Sequence, residues 1–228
     1  MITGAAAVWK ALPTGQRRMI VSLSVAVAIA NIAQPYPDLA PLQHGPTVIL
    51  IVAAPWVLAR WPLSTPGVAS IWLFLLLHTL GARYIYSYVP YDDWLQGVTG
   101  WRIGGARNDY DRFVHLAFGG LLTLPVAEFA RRWSGMGQSS ALLVALLAIG
   151  FGSALYEIFE WLLTIVAAGS TADYYNGQQG DGWDAQKDMA LALLGSSIAA
   201  AAGLAGTRHR RGSVISGEST ATDDRTMT

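Results

Sequence analysis

Hydrophobic and polar positions divide this chain into six long apolar stretches with polar connections. The stretches run from about Met19 to Ala33, Pro46 to Pro62, Val68 to Val89, Phe113 to Ala130, Ala141 to Ala168 and Met189 to Gly206. A spanning helix needs roughly 20 mainly apolar residues, and the first stretch is short by that measure. Within hydrocarbon the backbone has no water to bond, so only helices and closed barrels can cross. These runs are continuous, unlike the ~10-residue alternating segments of a barrel. The pattern therefore predicts an all-α polytopic membrane bundle of about six transmembrane helices, built as a single domain over residues 1–207.

The basic residues orient the bundle. Lys10, Arg17, Arg18, Arg60, Arg131, Arg132, Arg208, Arg210, Arg211 and Arg225 fall on one side of the alternating spans. The other side carries Arg102, Arg107, Arg112 and Lys187 among many carboxylates, with Arg83 near the end of the third span. An excess of Lys and Arg marks cytoplasmic loops, so both termini are expected in the cytoplasm. Arg17-Arg18, the apolar run behind them and the Ala28-Ile29-Ala30 triplet also fit a signal peptide. Its cleavage would leave five spans. Residues 208–228 are polar and without apolar periodicity, which predicts a disordered cytoplasmic tail with a basic start suited to anionic headgroups.

Composition sharpens this picture. Of 228 residues, 53% are hydrophobic and only 13% charged, about half the ~25% of a soluble domain. Fifteen Lys+Arg balance fifteen Asp+Glu, which excludes a basic nucleic-acid binder, and the lack of Cys excludes a disulfide-stapled module. The lipid bilayer is the expected partner, with no nucleic acid. The stripe Gly195, Ala199 and Gly203 allows close helix approach and would serve an internal contact or a homo-oligomer equally well.

Polar residues in the last three spans carry the candidate chemistry. Asp111 and His115 lie four apart, about 40° around a helix, on a face continued by Gly119. Glu157 and Glu160 lie about 60° apart on a stripe with Gly150 and Ser153. Asp184 and Asp188 lie four apart where the last span begins. Chain direction alternates, so the three pairs fall at one depth, near the outer surface. Bland readings exist for each: a helix cap for Asp111, snorkelling for the two glutamates, and acids favoured at a helix N-terminus for Asp184 and Asp188. Together, however, bare carboxylates around one cavity need a cation or protons.

Mixed oxygen and imidazole donors suit Mg, Mn, Zn or Fe. We therefore take Asp111, His115, Asp184, Asp188 and the mid-span His78 as candidate ligands of a divalent metal. Glu157 and Glu160 are candidate catalytic acids, and Arg107, Asn108, Arg112 and Asp181 candidate substrate-binding groups. Trp94, Trp101, Tyr110, Tyr174, Tyr175 and Trp183 crowd the two outer loops, where rings form an interfacial belt. Near the other surface Glu128 is set to pair with Arg131 or Arg132.

Three classes of function follow. The first is a metal-dependent enzyme acting on a lipid-borne or envelope substrate such as a phosphoester. The second is a non-enzymatic binding or assembly protein, whose carboxylates pair with Arg107 and Arg112 to fix the outer loops. The third is an ion- or proton-coupled transporter. It ranks last, because acids are scarce in the cytoplasmic half and paired broken helices are not evident.

The segments HTLGARYIYSYVPYDDW, RNDYDRFVHLAFGGLLTLPVAEF, ALYEIFEW and GDGWDAQKDMALALLG together resemble the bacterial inner-membrane family typified by YjdF, over about residues 70–205. That resemblance implies a multi-span inner-membrane protein and supplies no activity. A looser similarity is to VanZ-like proteins, linked to glycopeptide resistance. Asp109 or Asp111 with His115, Glu157 or Glu160, and Asp188 before Gly195 match the order of polar residues there. Ala192 stands near the place of an Asn in that pattern.

Overall fold

The computed structural model describes residues 4–102, 105, 107–166 and 177–223, with side chains described as far as Gly206. The described residues form eight helices and no strand: α1 (Ala5–Ala11), α2 (Thr14–Ala30), α3 (Ala40–Arg60), α4 (Thr65–Arg83), α5 (Tyr91–Thr99), α6 (Tyr110–Ser134), α7 (Gln138–Val166) and α8 (Asp184–Asp223). Five are long and apolar enough to cross a membrane: α3, α4, α6, α7 and the Asp184–Gly206 part of α8. With 17 residues, α2 stands at the lower edge of the spanning range. Asp173, Tyr174 and Tyr175, between the last two spans, lie outside the described residues. The polar segment that follows Gly206 is helical along its backbone to Asp223.

Large apolar side chains face outward along the spans. Ile49 on α3 is 69% exposed and Phe151 on α7 is 66% exposed. In water such surfaces would drive aggregation; in hydrocarbon they face lipid tails as apolar as themselves.

The packing falls into two groups. In the first, α6, α7 and α8 pack closely on one another; in the second, α2 and α3 gather on α4. Contact between α4 and α6 joins the two. The closest approach is between α6 and α8. A Cβ at Gly119 would fall on the Ala192 carbonyl oxygen and 2.7 Å from the Ser196 nitrogen; one at Gly195 would fall on the Leu116 carbonyl oxygen and 2.8 Å from the Gly120 nitrogen. Beneath this crossing Thr123 and Ser196 share a buried 2.6 Å hydrogen bond. The small-residue stripe of α8 is thus an internal interface.

One end of the bundle is basic. Arg132 donates to the Pro62 carbonyl at 2.8 Å, and Arg60 lies over the Trp133 ring, so the α3–α4 and α6–α7 connections share that end. Glu128 does more there than pair with Arg132 at 2.7 Å. It also accepts from the Ser64 amide at 2.6 Å and the Ser64 hydroxyl at 2.7 Å, while Ser64 Oγ accepts from the Gly67 amide. A helix N-terminus carries unsatisfied N–H groups and favours negative charge. We expect Glu128→Ala to lower stability by about 1–3 kcal/mol, the range for losing a half-buried carboxylate that accepts charge-assisted bonds. A thermal melt of the detergent-solubilised chain measures it, and an unchanged midpoint refutes the role.

At the acidic end the chain departs from the pattern. The third apolar run extends to Val89, yet α4 stops at Arg83. Ile85 and Tyr86 take φ of 43° and 57°, a left-handed pair unusual for side-chain-bearing residues and most of all for β-branched Ile. The reversal sends the Tyr86 amide back to the Gly81 carbonyl at 2.8 Å and lays its ring on Gly81, where a Cβ would sit 2.6 Å away. Arg83 donates to the Ala30 and Ile32 carbonyls at 2.6 and 2.9 Å, satisfying the end of α2. Part of the connection between α4 and α6 is helical: α5 carries exposed Trp94 and Val98.

Candidate functional site

Helix periodicity and the α6–α8 crossing together build the polar cluster. Asp111, His115, Gly119 and Thr123 repeat every fourth residue on α6; Asp188, Ala192 and Ser196 do so on α8. The glycine contact at Gly119 brings the two stripes together, so the polar residues one and two turns above it converge. One donor atom each from Asp111, His115 and Asp188 lie within 4.8 Å of one another, and all three residues are buried. From α7, Glu157 reaches the same point: its Oε1 lies 3.5 Å from His115 Nε2, with Asp111 Oδ1 3.7 Å away on the other side. The Tyr156 ring closes on His115, with centroids 5.9 Å apart.

Charge is unevenly distributed around this point. Arg107 binds Asp184 at 2.5 Å and Asp109 at 3.4 Å. Arg112 pairs with Asp181, with Asp109 at 3.2 Å and with Asp184 at 3.4 Å. Lys187 adds a 2.5 Å bond to Asp181. That bond, helped by the Trp183 amide and Arg112, holds the Asp181 carboxyl down to about 2. An outer layer of acids is thereby matched by cations. The inner layer is not. Among the described residues no Arg or Lys lies within ion-pair distance of Asp111, Glu157 or Asp188. Asp188 Oδ1 and Glu157 Oε1 are buried and accept no hydrogen bond from the described residues.

Backbone loops cover the cluster. Arg107 donates to the Gln178 carbonyl at 2.5 Å. Asn108 and Gln179 exchange two 2.9 Å bonds, backbone amide to side chain and side-chain amide to carbonyl. Asn108 also donates to Val89 O and accepts from the Tyr110 amide. Gly177, at φ 62°, sits over the site: a Cβ there would meet Ser87 Oγ at 2.9 Å and Asp111 Oδ2 at 3.6 Å. Gln178 and Gln179 were not singled out by sequence; the only local signal is the Gly-rich run around them. As for the cap reading, Asp109 rather than Asp111 holds the N-cap position of α6.

Two candidate residues stand apart from the inner group. His78 has both ring nitrogens engaged, Nε2 with the Gln43 carbonyl at 3.2 Å and Nδ1 with the Tyr86 hydroxyl. A carbonyl can only accept, so a neutral ring protonated on Nε2 satisfies both partners. Glu160 is half-buried one turn beyond Glu157 and bonded by Tyr156.

Two cavities adjoin the cluster. One, of about 270 Å³, lies between α3, α4, α6 and α7; it is mostly apolar, with Asp111 and His115 at its outer end. The other, of about 420 Å³, lies between α7 and the start of α8 and is lined by Glu157, Glu160, Gln178 and Asp184. Glu157 borders the second cavity and His115 the first, so this contact is the wall between them.

The donor set fits a divalent cation. Two ligands of one ion at about 2.0–2.4 Å lie no further apart than about 4–4.8 Å.

Comparison with known proteins places the chain. Residues 16–209 match the family described as "Predicted membrane protein (DUF2238)". The chain is 35% identical over 162 residues to "Inner membrane protein YjdF" of Escherichia coli (strain K12), covering 68% of this chain and 72% of that one. No solved structure matches. Neither match extends to VanZ-like proteins, so that looser similarity carries no argument below. With five apolar helices of spanning length, the chain is a multi-pass inner-membrane protein. It belongs to the DUF2238 family, as a relative of the inner membrane protein YjdF.

Proposed function

We propose that this protein is a metal-dependent enzyme of the inner membrane, acting near the outer surface on a lipid-borne or envelope phosphoester. The observation that carries the reading is the buried Asp111, His115 and Asp188 group, whose donors lie within 4.8 Å of one another with no Arg or Lys at ion-pair distance among the described residues. With Glu157 added, three carboxylates around one imidazole in a low-dielectric interior need protons or a balancing cation, and a divalent ion supplies that balance. A bound Mg, Mn or Zn ion would polarise a phosphoryl oxygen and lower the pKa of a water.

The chain's own residues then divide the work. Asp111, His115 and Asp188 hold the ion. Glu157, beside His115 and facing the polar cavity, takes the proton from an attacking water entering from that side. Glu160 borders the same cavity and is the next acceptor outward. Arg107, Arg112, Asn108 and Asp181 act through the loops they hold, since their polar groups are engaged with other parts of the protein. His78 shapes the wall of the apolar cavity.

That same outer layer of ion pairs favours a second reading, an assembly protein whose acids and arginines fix the outer loops for a partner. Metal analysis separates the two. The purified full chain, stripped with chelator and titrated with Mn²⁺, is expected to take up about one ion per chain. Asp188→Asn and His115→Ala should each weaken binding by on the order of tenfold or more, with melting behaviour retained. Absence of Mn²⁺ and Zn²⁺ binding in the wild type, or variants that bind like it, overturns the enzyme reading.

A further inference from the structure

The apolar cavity carries two hydroxyls that nothing uses. Thr47 on α3 and Ser153 on α7 both line it, and both are at most 1% exposed. Among the described residues neither Oγ has a hydrogen-bond partner. This is unusual on a helix, where a Ser or Thr hydroxyl can bond the carbonyl one turn back, as Thr79 and Thr123 do here. A buried polar atom without a partner is destabilising, and two of them in one cavity call for a partner that enters it. Ser153 stands one turn, about 5.4 Å, deeper than Glu157. Leu50, Phe74, Leu75 and Phe118 supply apolar walls of the same cavity. Leu50 is half-exposed on the outward face of α3, so the cavity opens there toward lipid. The cavity thus combines an acid and an imidazole at one end, two unpartnered hydroxyls and hydrocarbon walls, which matches the head, the ester linkage and the chain of a glycerolipid.

We infer that the cleft between α3 and α7 holds one acyl chain of a bilayer glycerolipid, with its ester linkage hydrogen-bonded by Thr47 and Ser153 and its phosphate head at the Asp111–His115 end. This names the substrate class for the proposed enzyme and rests on that reading for the chemistry of the head. Thr47 and Ser153 donate to the ester carbonyl; the phosphate needs the cation, since Asp111 alone would repel it. A water filling the cavity would satisfy the hydroxyls equally, but it would gain nothing from the four apolar walls.

The test uses the full chain in vesicles of phosphatidylethanolamine and phosphatidylglycerol containing a phosphatidylethanolamine with a photoactivatable diazirine on one acyl chain. After illumination, labelled peptides are mapped by mass spectrometry. Label is expected on Leu50, Phe74 and Phe118. Gly152→Leu places a side chain in the cavity, since a Cβ there has only Phe118 near it, at 3.5 Å. It should reduce that label several-fold, and so should the milder Thr47→Val/Ser153→Ala pair, each with an unchanged melt. The inference is overturned by label in both variants equal to the wild type, or by label confined to the outward residues Leu147, Phe151 and Leu155. Mn²⁺ binding of the same preparations keeps the two proposals apart. Cavity labelling without Mn²⁺ uptake sinks only the enzyme; Mn²⁺ uptake without cavity labelling sinks only the lipid.

Discussion

Replacing Gly195 with leucine is expected to unfold the α6–α8 pair and lower the melting midpoint more than any other single change considered. The reason is the identity of the neighbours. Even a Cβ at Gly195 lands on the Leu116 carbonyl and 2.8 Å from the Gly120 nitrogen, and these are backbone atoms that cannot swing aside. The helices must separate, which opens the Thr123–Ser196 bond and withdraws Asp188 from Asp111 and His115. Overpacking a well-filled core costs about 1–3 kcal/mol, and separated helices add the lost contacts along the whole seam. Gly120→Ala is the control: its Cβ meets only Gly195 O, at 3.9 Å, so near-neutral stability is expected. A Gly195→Leu chain that melts like the Gly120→Ala chain contradicts this account of the crossing.

Arg107→Ala should be the most damaging change at the acidic end. Asp184 is 3% exposed and takes its 2.5 Å partner from Arg107. The arginine also donates to the Gln178 and Gly177 carbonyls, so its loss frees the loop over the site. Removing one member of a buried ion pair costs about 3–5 kcal/mol, because a desolvated charge is left behind. Arg112, 3.4 Å from Asp184 and shared with Asp109 and Asp181, compensates only in part. The double variant Arg107→Ala/Asp184→Asn removes that stranded charge and should recover stability over the single variant, a non-additivity expected of contacting residues. Arg102→Ala provides the contrast. Its pair with Asp93 is more than half exposed on both sides, so about 0–1 kcal/mol is expected. Equal melts for the Arg107 and Arg102 variants refute a structural role for the Arg107–Asp184 pair.

The predictions differ in what they need from the sequence. The spans were legible because a membrane helix must satisfy its own backbone and cover itself with apolar side chains, which leaves long runs with few charges. Four-residue spacing also identified Asp111 with His115, and Asp188 with its small-residue stripe, because helical geometry alone decides which side chains share a face.

Other features depended on partners far away in the chain. α4 ends six residues before its apolar run does, since Tyr86 folds back on Gly81 through a backbone conformation that Ile85 does not favour locally. Both glutamates border the second cavity and Glu157 also reaches His115, a difference set by how α7 crosses α6. His78 has its nitrogens engaged by Gln43 and Tyr86, and the arginines choose Asp184, Asp181 and Asp109 over the inner acids. By itself the sequence determined what lies in the membrane and which face each polar residue occupies, because both follow from local periodicity and transfer energy. Only the tertiary structure decided which acids are neutralised and which are left to one another, because that depends on distances of a few ångströms between helices that periodicity does not position.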